Sequence, residues 1–286
     1  MNEYEPIYRP PSEADSWILK VTGGCSHNQC TFCGTYKGRQ FYVRDWEEIF
    51  HDIRQVQEAG YQFKRVYLSD SDALATGMEL IEKTLKEIKN RFPSVRRVGL
   101  HATAIDVLEY TPAELEKLHS LGLGIIYIGA ESGNSEILRR IRKGAGALQI
   151  IESVKRTKEA GILSSVTFIS GLGGKELWKE HACDTANMIN EMQPDYASLL
   201  TLLIDRNAPL SESVEDGSFQ ILTAQEVLNE TKLMLEQVNL KTPCVFRSNH
   251  ASNYLALKGT LPQDRDALIH QIETAKLLKP DAYRAL

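Results

Sequence analysis

Three cysteines within nine residues are the feature of this sequence best suited to chemistry. Cys25, Cys30 and Cys33 form the segment CSHNQCTFC, whereas the other two cysteines, Cys183 and Cys244, lie far away along the chain. Three thiolates can hold three corners of a four-iron cluster and leave the fourth iron without a protein ligand. An iron with a vacant site can bind and reduce a small molecule. The spacing therefore predicts a [4Fe-4S] centre with one open position.

The same segment also admits a structural zinc site. His27 stands between the first two cysteines, and together with Cys25, Cys30 and Cys33 it completes a Cys3His ligand set. In that alternative the chain is a zinc-stabilised binding protein without catalysis. Metal analysis separates the two interpretations, because the cluster brings about four irons and the zinc site about one zinc.

Length and composition favour one soluble domain. The chain has 286 residues, 42% of them hydrophobic and 25% charged, and (β/α) barrels of about 250 residues are common single domains. Thirty-three Lys and Arg residues against 38 Asp and Glu residues give a net charge of −5, so we expect no nucleic-acid partner. We expect neither a membrane span nor a signal peptide, because no run approaches about 20 apolar residues and the first residues are acidic. Five unevenly spaced cysteines do not suggest a disulfide framework, and the predicted location is the cytoplasm.

Short apolar runs alternate with helical patterns along the chain. Six apolar runs bounded by turns predict buried strands of a parallel sheet at residues 17–21, 66–68, 98–100, 125–128, 166–169 and 197–203. Seven amphipathic or capped segments predict helices at residues 45–59, 78–91, 111–122, 135–142, 147–160, 177–192 and 224–238. This alternation indicates an α/β fold with right-handed crossovers.

Six βα units are too few for a closed eight-stranded barrel. We therefore predict a partial (β/α)6 TIM-like barrel over residues 16–203. An N-terminal extension, 1–15, precedes it, and a helix with a short cavity-closing extension, 204–286, follows it.

In such folds, chemistry collects at the carboxyl ends of the strands. The cysteine segment, residues 25–33, follows the first predicted strand. Polar or glycine-rich segments follow the later ones, at residues 69–72, 101–103, 129–133 and 170–174. We expect these loops to meet at one edge of the barrel.

With these motifs the sequence resembles the radical S-adenosylmethionine (radical SAM) enzymes, in particular the branch of oxygen-independent coproporphyrinogen oxidase. The resemblance covers roughly residues 16–203, although four residues here separate the first two cysteines where the family usually has three. It implies a [4Fe-4S] cluster on the three cysteines and S-adenosyl-L-methionine (SAM) at the open iron. Reductive cleavage of SAM would give a 5′-deoxyadenosyl radical that takes hydrogen from a substrate.

The resemblance also implies contacts to SAM from the cysteine segment and from the loop after the second strand. Phe32 matches an aromatic residue that flanks the adenine. Ser69, Asp70 and Asp72 stand where the family has a glycine-rich turn that receives the amino group of SAM, and their oxygens suit an ammonium. As an alternative, these three residues form an N-cap and surface turn.

Two later segments complete the implied SAM site. Glu131 matches the residue that accepts hydrogen bonds from the ribose, and Lys143, twelve residues on, matches a basic position that meets the methionine carboxylate. Thr167, Ile169 and Gly171 lie on the strand that borders the adenine, with Thr167 where a relative carries an aspartate.

Substrate contacts are expected from segments that the resemblance does not explain. Residues 244–262 are rich in hydrogen-bonding side chains, and His101 ends the third predicted strand. The candidates for substrate contact are His101, Arg247, Asn249, His250 and Asn253. The candidates for a catalytic role are Cys244 and His250. Alternatively, the segment is a capping loop and Cys244 is a small buried apolar residue.

The predicted partners are a small-molecule substrate and an external one-electron donor such as flavodoxin or ferredoxin. After three cysteines are used, the remaining two are too few for an auxiliary four-thiolate cluster, which weakens a methylthiotransferase interpretation. An RNA-modifying radical SAM enzyme remains the second hypothesis, although the acidic chain shows no basic RNA-binding module.

Overall fold

All six predicted strands and all seven predicted helices are present in the structure, a computed structural model that describes residues 8–277. The ten strands of this region are β1 (Trp17–Lys20), β2 (Thr22–Gly23), β3 (Tyr42–Val43), β4 (Arg65–Ser69), β5 (Arg97–His101), β6 (Leu123–Glu131), β7 (Leu163–Ser170), β8 (Tyr196–Thr201), β9 (Cys244–Ser248) and β10 (Leu257–Leu261).

Ten α-helices lie along the same described residues. They are α1 (Trp46–Glu58), α2 (Met78–Arg91), α3 (Ala104–Glu109), α4 (Pro112–Ser120), α5 (Ser135–Arg140), α6 (Ala147–Glu159), α7 (Gly174–Met192), α8 (Leu210–Glu215), α9 (Ala224–Gln237) and α10 (Arg265–Lys276). Three of these, α3, α8 and α10, were not expected from the sequence.

The contacts within the chain define two units. The first consists of the residues up to Asn28, together with Gly38–Ile128 and Arg156–Leu163. The second consists of Gln29–Lys37, Gly129–Lys155 and the residues from Ser164 on. The boundaries predicted for the segments 1–15, 16–203 and 204–286 stay predictions, and residues 1–7 and 278–286 of these segments lie outside the described residues.

Parallel strands form the core of the first unit. β1 pairs with β4, β4 with β5, and β5 with β6, each in parallel. Val66, Tyr67 and Leu68 of β4 are completely buried. Strands that are covered on both faces read as continuous apolar runs, and for this reason the sequence pattern found them.

A buried carboxylate joins the N-terminal turn of this unit to its sheet. Glu13 is completely buried, and it accepts hydrogen bonds from Arg97 Nη2 and from the Tyr127 hydroxyl, both at 2.5 Å. Charge-assisted bonds of this kind are about twice as strong as neutral ones. The turn at Pro11–Glu13 is therefore fixed to β5 and β6.

The second unit continues the α/β pattern and ends with a hairpin. β7 pairs in parallel with β8, β8 in parallel with β9, and β9 antiparallel with β10. Helix α7 packs against α9, and α9 against α10. The predicted α/β class is confirmed.

β9 and β10 replace part of the predicted closing loop. Cys244, Phe246 and Ser248 are buried, whereas Arg247 between them is exposed. This two-residue alternation is the mark of a strand. The many polar side chains of the segment concealed it in the sequence.

Candidate functional site

The boundary between the two units falls within the cysteine segment, between residues 28 and 29. Cys25 belongs to the first unit, and Cys30 and Cys33 belong to the second. All three thiols are partly exposed, and none forms a disulfide. Cys244, in contrast, is completely buried on β9, and Cys183 is partly exposed on α7.

Within the second unit, Cys30 lies in the electrostatic field of two residues that the sequence assigned to SAM. Burial raises the pKa of the Cys30 thiol to about 11; the positive charges of Lys143 and Lys37 oppose this rise, and Glu131 and Cys33 reinforce it. A thiolate is the ligand form of cysteine. Burial therefore favours the neutral Cys30 thiol in the metal-free protein, and the ammonium groups of Lys143 and Lys37 reduce this preference.

Glu131 and Lys143 contact each other directly. Lys143 Nζ donates to Glu131 Oε1 at 2.8 Å, and the two side chains are 13% and 11% exposed. Glu131 also has a left-handed backbone conformation, φ +68°, which is uncommon for a non-glycine residue and concentrates at functional sites. The twelve-residue spacing thus brings together a carboxylate and an ammonium at the end of β6.

The third predicted SAM segment lies on β7. Thr167 and Ile169 are partly exposed, whereas Phe168 between them is 1% exposed. The two candidates consequently share one face of the strand, as the pleat requires. Gly171, in the turn after β7, donates its backbone N–H to Glu230 on α9 at 2.8 Å.

The middle of the cysteine segment is held by backbone bonds within the second unit. Thr31 donates its N–H to the carbonyl of Ile141 at 2.9 Å, and its own carbonyl accepts the N–H of Leu210 at 2.8 Å. Phe32, the predicted adenine neighbour, is partly exposed. A cleft of about 370 Å³ borders Thr31 and the turn that follows Gly171.

In the first unit, the turn after β4 is bonded to the start of the cysteine segment. Asp72 Oδ2 accepts from the Ser26 backbone N–H at 2.8 Å and from the Ser26 hydroxyl at 2.6 Å. The Asp70 N–H donates to Thr22 Oγ1 at 3.2 Å. Asp72, predicted as a SAM contact, therefore holds the residue next to Cys25. A direct contact with SAM stays a prediction for Ser69, Asp70 and Asp72.

Ser69, the last residue of β4, has a hydroxyl that can still form hydrogen bonds. Its hydroxyl is completely buried, and it has no hydrogen-bond partner in the part of the chain that the structure describes. Buried hydroxyls are normally satisfied. An acceptor in this position fits an ammonium group, which carries three donors.

His101 lies in an aromatic cluster of the first unit. Its Nδ1 is hydrogen-bonded to the Tyr67 hydroxyl, and its ring centroid is 5.3 Å from that of Tyr127. The residue is partly exposed at the end of β5. Contact with a substrate stays a prediction.

The candidates in residues 244–262 separate into two groups. Asn253 is buried, accepts from Thr201 Oγ1 at 2.9 Å and donates to the Leu199 carbonyl at 2.9 Å, so it ties its loop to β8. Arg247, Asn249 and His250 are exposed. The guanidinium of Arg247 donates to the carbonyls of residues 246 and 259, and His250 Nδ1 is bonded to the hydroxyl of residue 252. These bonds are local, as in a capping loop.

The donor chemistry of the cysteine segment suits a cluster held by three thiolates, but among the described residues the structure does not bring the three thiols together at one metal position. The cysteine segment supplies three thiols, and the charge around Cys30 includes two ammonium groups. Among residues 8–277, no group of three or more His, Cys, Asp or Glu side chains is arranged to hold a metal ion. No helix of that region is long and apolar enough to cross a membrane.

Comparison with known families decides which chemistry applies. The family model of the Radical SAM superfamily matches residues 19–186, more than half of the chain. The chain belongs to the Radical SAM superfamily. The predicted [4Fe-4S] cluster and S-adenosyl-L-methionine are thereby confirmed as its cofactors, and radical SAM enzymes require both an electron donor and a substrate.

Curated relatives of this radical SAM chain are larger proteins with different activities. Hopanoid C-3 methylase of Methylococcus capsulatus is 25% identical over 157 residues, which cover 53% of the chain and 28% of the relative. A tRNA-2-methylthio-N(6)-dimethylallyladenosine synthase of Shewanella sediminis is 24% identical over 212 residues, which cover 69% of the chain and 42% of the relative. The chain thus spans less than half the length of these relatives.

Solved structures of radical SAM enzymes share the fold. Coproporphyrinogen III oxidase from Escherichia coli has a TM-score of 0.55 at 16% identity, covering 78% of this chain and 52% of that one. A radical SAM methyltransferase from Kitasatospora setae, with cobalamin and a [4Fe-4S] cluster bound, has a TM-score of 0.59 at 16% identity, covering 70% and 39%. The predicted α/β fold of the partial TIM-like barrel type is confirmed, and it is similar to the fold of coproporphyrinogen III oxidase.

Proposed function

We propose that this protein is a radical SAM enzyme that cleaves SAM reductively and abstracts hydrogen from a small-molecule substrate. The observation that carries the proposal is the direct contact between Glu131 and Lys143 at 2.8 Å, at a position in the second unit from which both side chains influence the pKa of Cys30, in opposite directions. These residues belong to two separate motifs in the sequence. Their proximity supports one site for both cluster and SAM.

In the proposed enzyme, Cys25, Cys30 and Cys33 hold the cluster. When bound, the cluster and SAM would supply the chemistry, namely one-electron cleavage of the SAM C5′–S bond with release of methionine, coupled to removal of a hydrogen atom from the substrate. An external one-electron donor, such as a flavodoxin or ferredoxin, supplies the electron. The protein contributes position, charge and exclusion of water.

Each polar candidate has a defined task in this proposal. Ser69 accepts from the SAM ammonium with its unpartnered hydroxyl. Glu131 accepts from the ribose hydroxyls, and Lys143 donates to the methionine carboxylate. The two side chains bond each other without SAM, so we expect SAM to exchange this ion pair for bonds to its own groups.

A second candidate function, modification of tRNA, is favoured by the curated relative from Shewanella sediminis, whose name states that activity. The net charge of −5 opposes it, because RNA binders present basic surfaces. Filter binding of tRNA at several salt concentrations tests this function. Salt-sensitive binding would support RNA as the substrate.

The main proposal is tested by anaerobic reconstitution with iron and sulfide, followed by dithionite and SAM. We expect about four irons per chain, a brown chromophore, and release of 5′-deoxyadenosine and methionine. Cys33→Ala should lose both the iron and the product, whereas Cys183→Ala, outside the cysteine segment, should keep them. One zinc per chain and no deoxyadenosine would instead establish the zinc-stabilised binding protein.

A further inference from the structure

A buried carboxyl group outside the family-matched residues accepts a hydrogen bond from a residue of the proposed SAM site. Glu230 lies on α9 and is 2% exposed. Its Oε1 accepts the backbone N–H of Gly171 at 2.8 Å, while its Oε2 is buried and has no hydrogen-bond partner among the described residues. Each such group in a folded protein requires an explanation, because desolvation of a carboxyl is unfavourable.

The buried ring of His181, on α7, also forms hydrogen bonds with residues next to or within the proposed SAM site. Its Nε2 lies 3.0 Å from the carbonyl of Ile169, which can only accept, so Nε2 carries a hydrogen. Its Nδ1 lies 2.8 Å from the Ser132 hydroxyl, which in turn accepts the N–H of Asn134. The hydroxyl hydrogen of Ser132 is therefore available to Nδ1, and the ring bridges two strand ends.

The two side chains are themselves neighbours. His181 Nε2 lies 3.9 Å from Glu230 Oε1, and both residues line the same small pocket with Thr185. Thr185 Oγ1 accepts the N–H of Gly133 at 3.0 Å. Three side chains from α7 and α9 thus form hydrogen bonds with the end of β7 and with the turns after β6 and β7.

The anchored residues adjoin or include those assigned to SAM. Ser132 directly follows Glu131, while Ile169 and Gly171 are themselves expected to border the adenine. We propose that His181 and Glu230 are positioning residues that fix these two strand ends in the conformation that binds SAM. The inference rests on the proposed function.

The physical basis is preorganisation. A binding site held by packed, hydrogen-bonded supporting residues loses less conformational entropy when its ligand arrives. Stability alone does not call for a carboxyl group here, because burial raises the pKa of Glu230 and an apolar side chain of similar volume would avoid that penalty. What the carboxyl provides is an acceptor for the Gly171 N–H.

The test compares SAM binding by reconstituted wild type and variants, measured by calorimetry and by the change that SAM causes in the electron paramagnetic resonance spectrum of the reduced cluster. Loss of one buried hydrogen bond predicts a Kd about tenfold higher for Glu230→Leu and for His181→Phe. Glu230→Gln keeps an acceptor for Gly171 and should stay within about threefold of wild type. Ser153→Ala, which removes a buried hydroxyl bonded within α6, is the control and should bind SAM normally.

The outcomes separate the inference from the function on which it rests. Glu230→Leu with full iron content and a Kd within about twofold of wild type would overturn the positioning role. A loss in Glu230→Leu that Glu230→Gln restores would establish it, even if His181→Phe does not fold. If the wild type itself neither binds nor cleaves SAM, the proposed function fails and the inference fails with it.

Discussion

Replacing Lys143 by methionine should destabilise the protein before any cofactor is bound. The change removes the ammonium that bonds Glu131 at 2.8 Å and leaves a carboxylate that is 11% exposed without this partner. Breaking a fully buried ion pair costs about 3–5 kcal/mol, whereas exposed pairs contribute about 0–1 kcal/mol. For a pair at this depth we expect Lys143→Met to lower the free energy of unfolding by about 2–3 kcal/mol.

The assay is urea unfolding of the metal-free, reduced protein, carried out as a double-mutant cycle with Glu131→Gln. Residues in direct contact show coupling energies of about 0.5–3 kcal/mol, and we expect a value in the upper half of this range. Lys155→Met provides a matched control, because Lys155 bonds Glu191 at 3.0 Å with both side chains well exposed. The control should cost less than about 0.5 kcal/mol.

Two results would refute this reasoning. The first is a cost for Lys143→Met no larger than that of Lys155→Met, which would mean that water already solvates the pair. The second is a coupling energy near zero, which would mean that Glu131 loses nothing when its ammonium partner is removed. Either result would also remove the argument that SAM must exchange an existing ion pair for its own bonds.

Three further perturbations give distinct signatures. Asp72→Ala removes the acceptor of two hydrogen bonds from Ser26. Because water can partly replace this acceptor, we expect the free energy of unfolding to fall by about 1–2 kcal/mol. We also expect the reconstituted protein to release iron to a chelator faster. Gly133→Ala places a methyl group 2.1 Å from the carbonyl oxygen of Asp184, which backbone cannot easily avoid, so thermal unfolding should show a loss of about 2 kcal/mol or more. Burial raises the pKa of Glu230, so the folded state binds this proton more tightly and the wild type loses stability as pH rises above about 4.3. Glu230→Gln should therefore gain stability relative to wild type over that rise, as measured by urea unfolding at several pH values.

Each of these has a contrary outcome, and the last two have a control variant. Unchanged iron release by Asp72→Ala would mean that its bonds to the cysteine segment are dispensable. Gly146→Ala has only a distant side chain near the added methyl and should unfold like wild type, so equal stability of Gly133→Ala would contradict the steric argument. Glu226 is the control for the pH effect, because hydrogen bonds from residue 223 lower its pKa and the expected pH dependence is therefore opposite. Glu226→Gln should be less stable than wild type at neutral pH, and this difference in stability should disappear as pH falls. A flat difference for Glu230→Gln would show that its carboxyl is not held protonated.

The fold was predictable wherever local signals and burial agreed. The apolar run at 66–68 became β4 because both faces of the strand are covered. The start of α4 was predictable in detail, since Thr111 and Glu114 form the capping box that the spacing indicates, with proline at the first helical position. β9 was missed because its alternation is set by packing, with Phe246 buried and Arg247 exposed, and its polar residues resemble a loop.

The candidate site was predictable only where its residues belong to motifs with a fixed spacing in the sequence. The separation of twelve positions between Glu131 and Lys143 predicted a pair that does make contact. The partners of Asp72 and the roles of His181 and Glu230 depend on contacts between residues about 46 to 59 positions apart. No pattern in one sequence reports such contacts. A histidine and a glutamate at core-facing helical positions were the available signal, since buried charged side chains are rare without a task.

The contact between Thr31 and Leu210 limits how this catalytic core can be transplanted. The family match stops at residue 186, yet the peptide beyond it bonds the middle of the cysteine segment, and the carboxylate of Asp205 occupies the space where a side chain at Gly34 would stand, 2.2 Å from an added methyl. A chimera joined after residue 203 would bring all three sulfur ligands but leave behind the backbone that supports them. Exchanges with related enzymes should therefore place the junction after residue 237, beyond α9 and Glu230, and keep glycine at position 34.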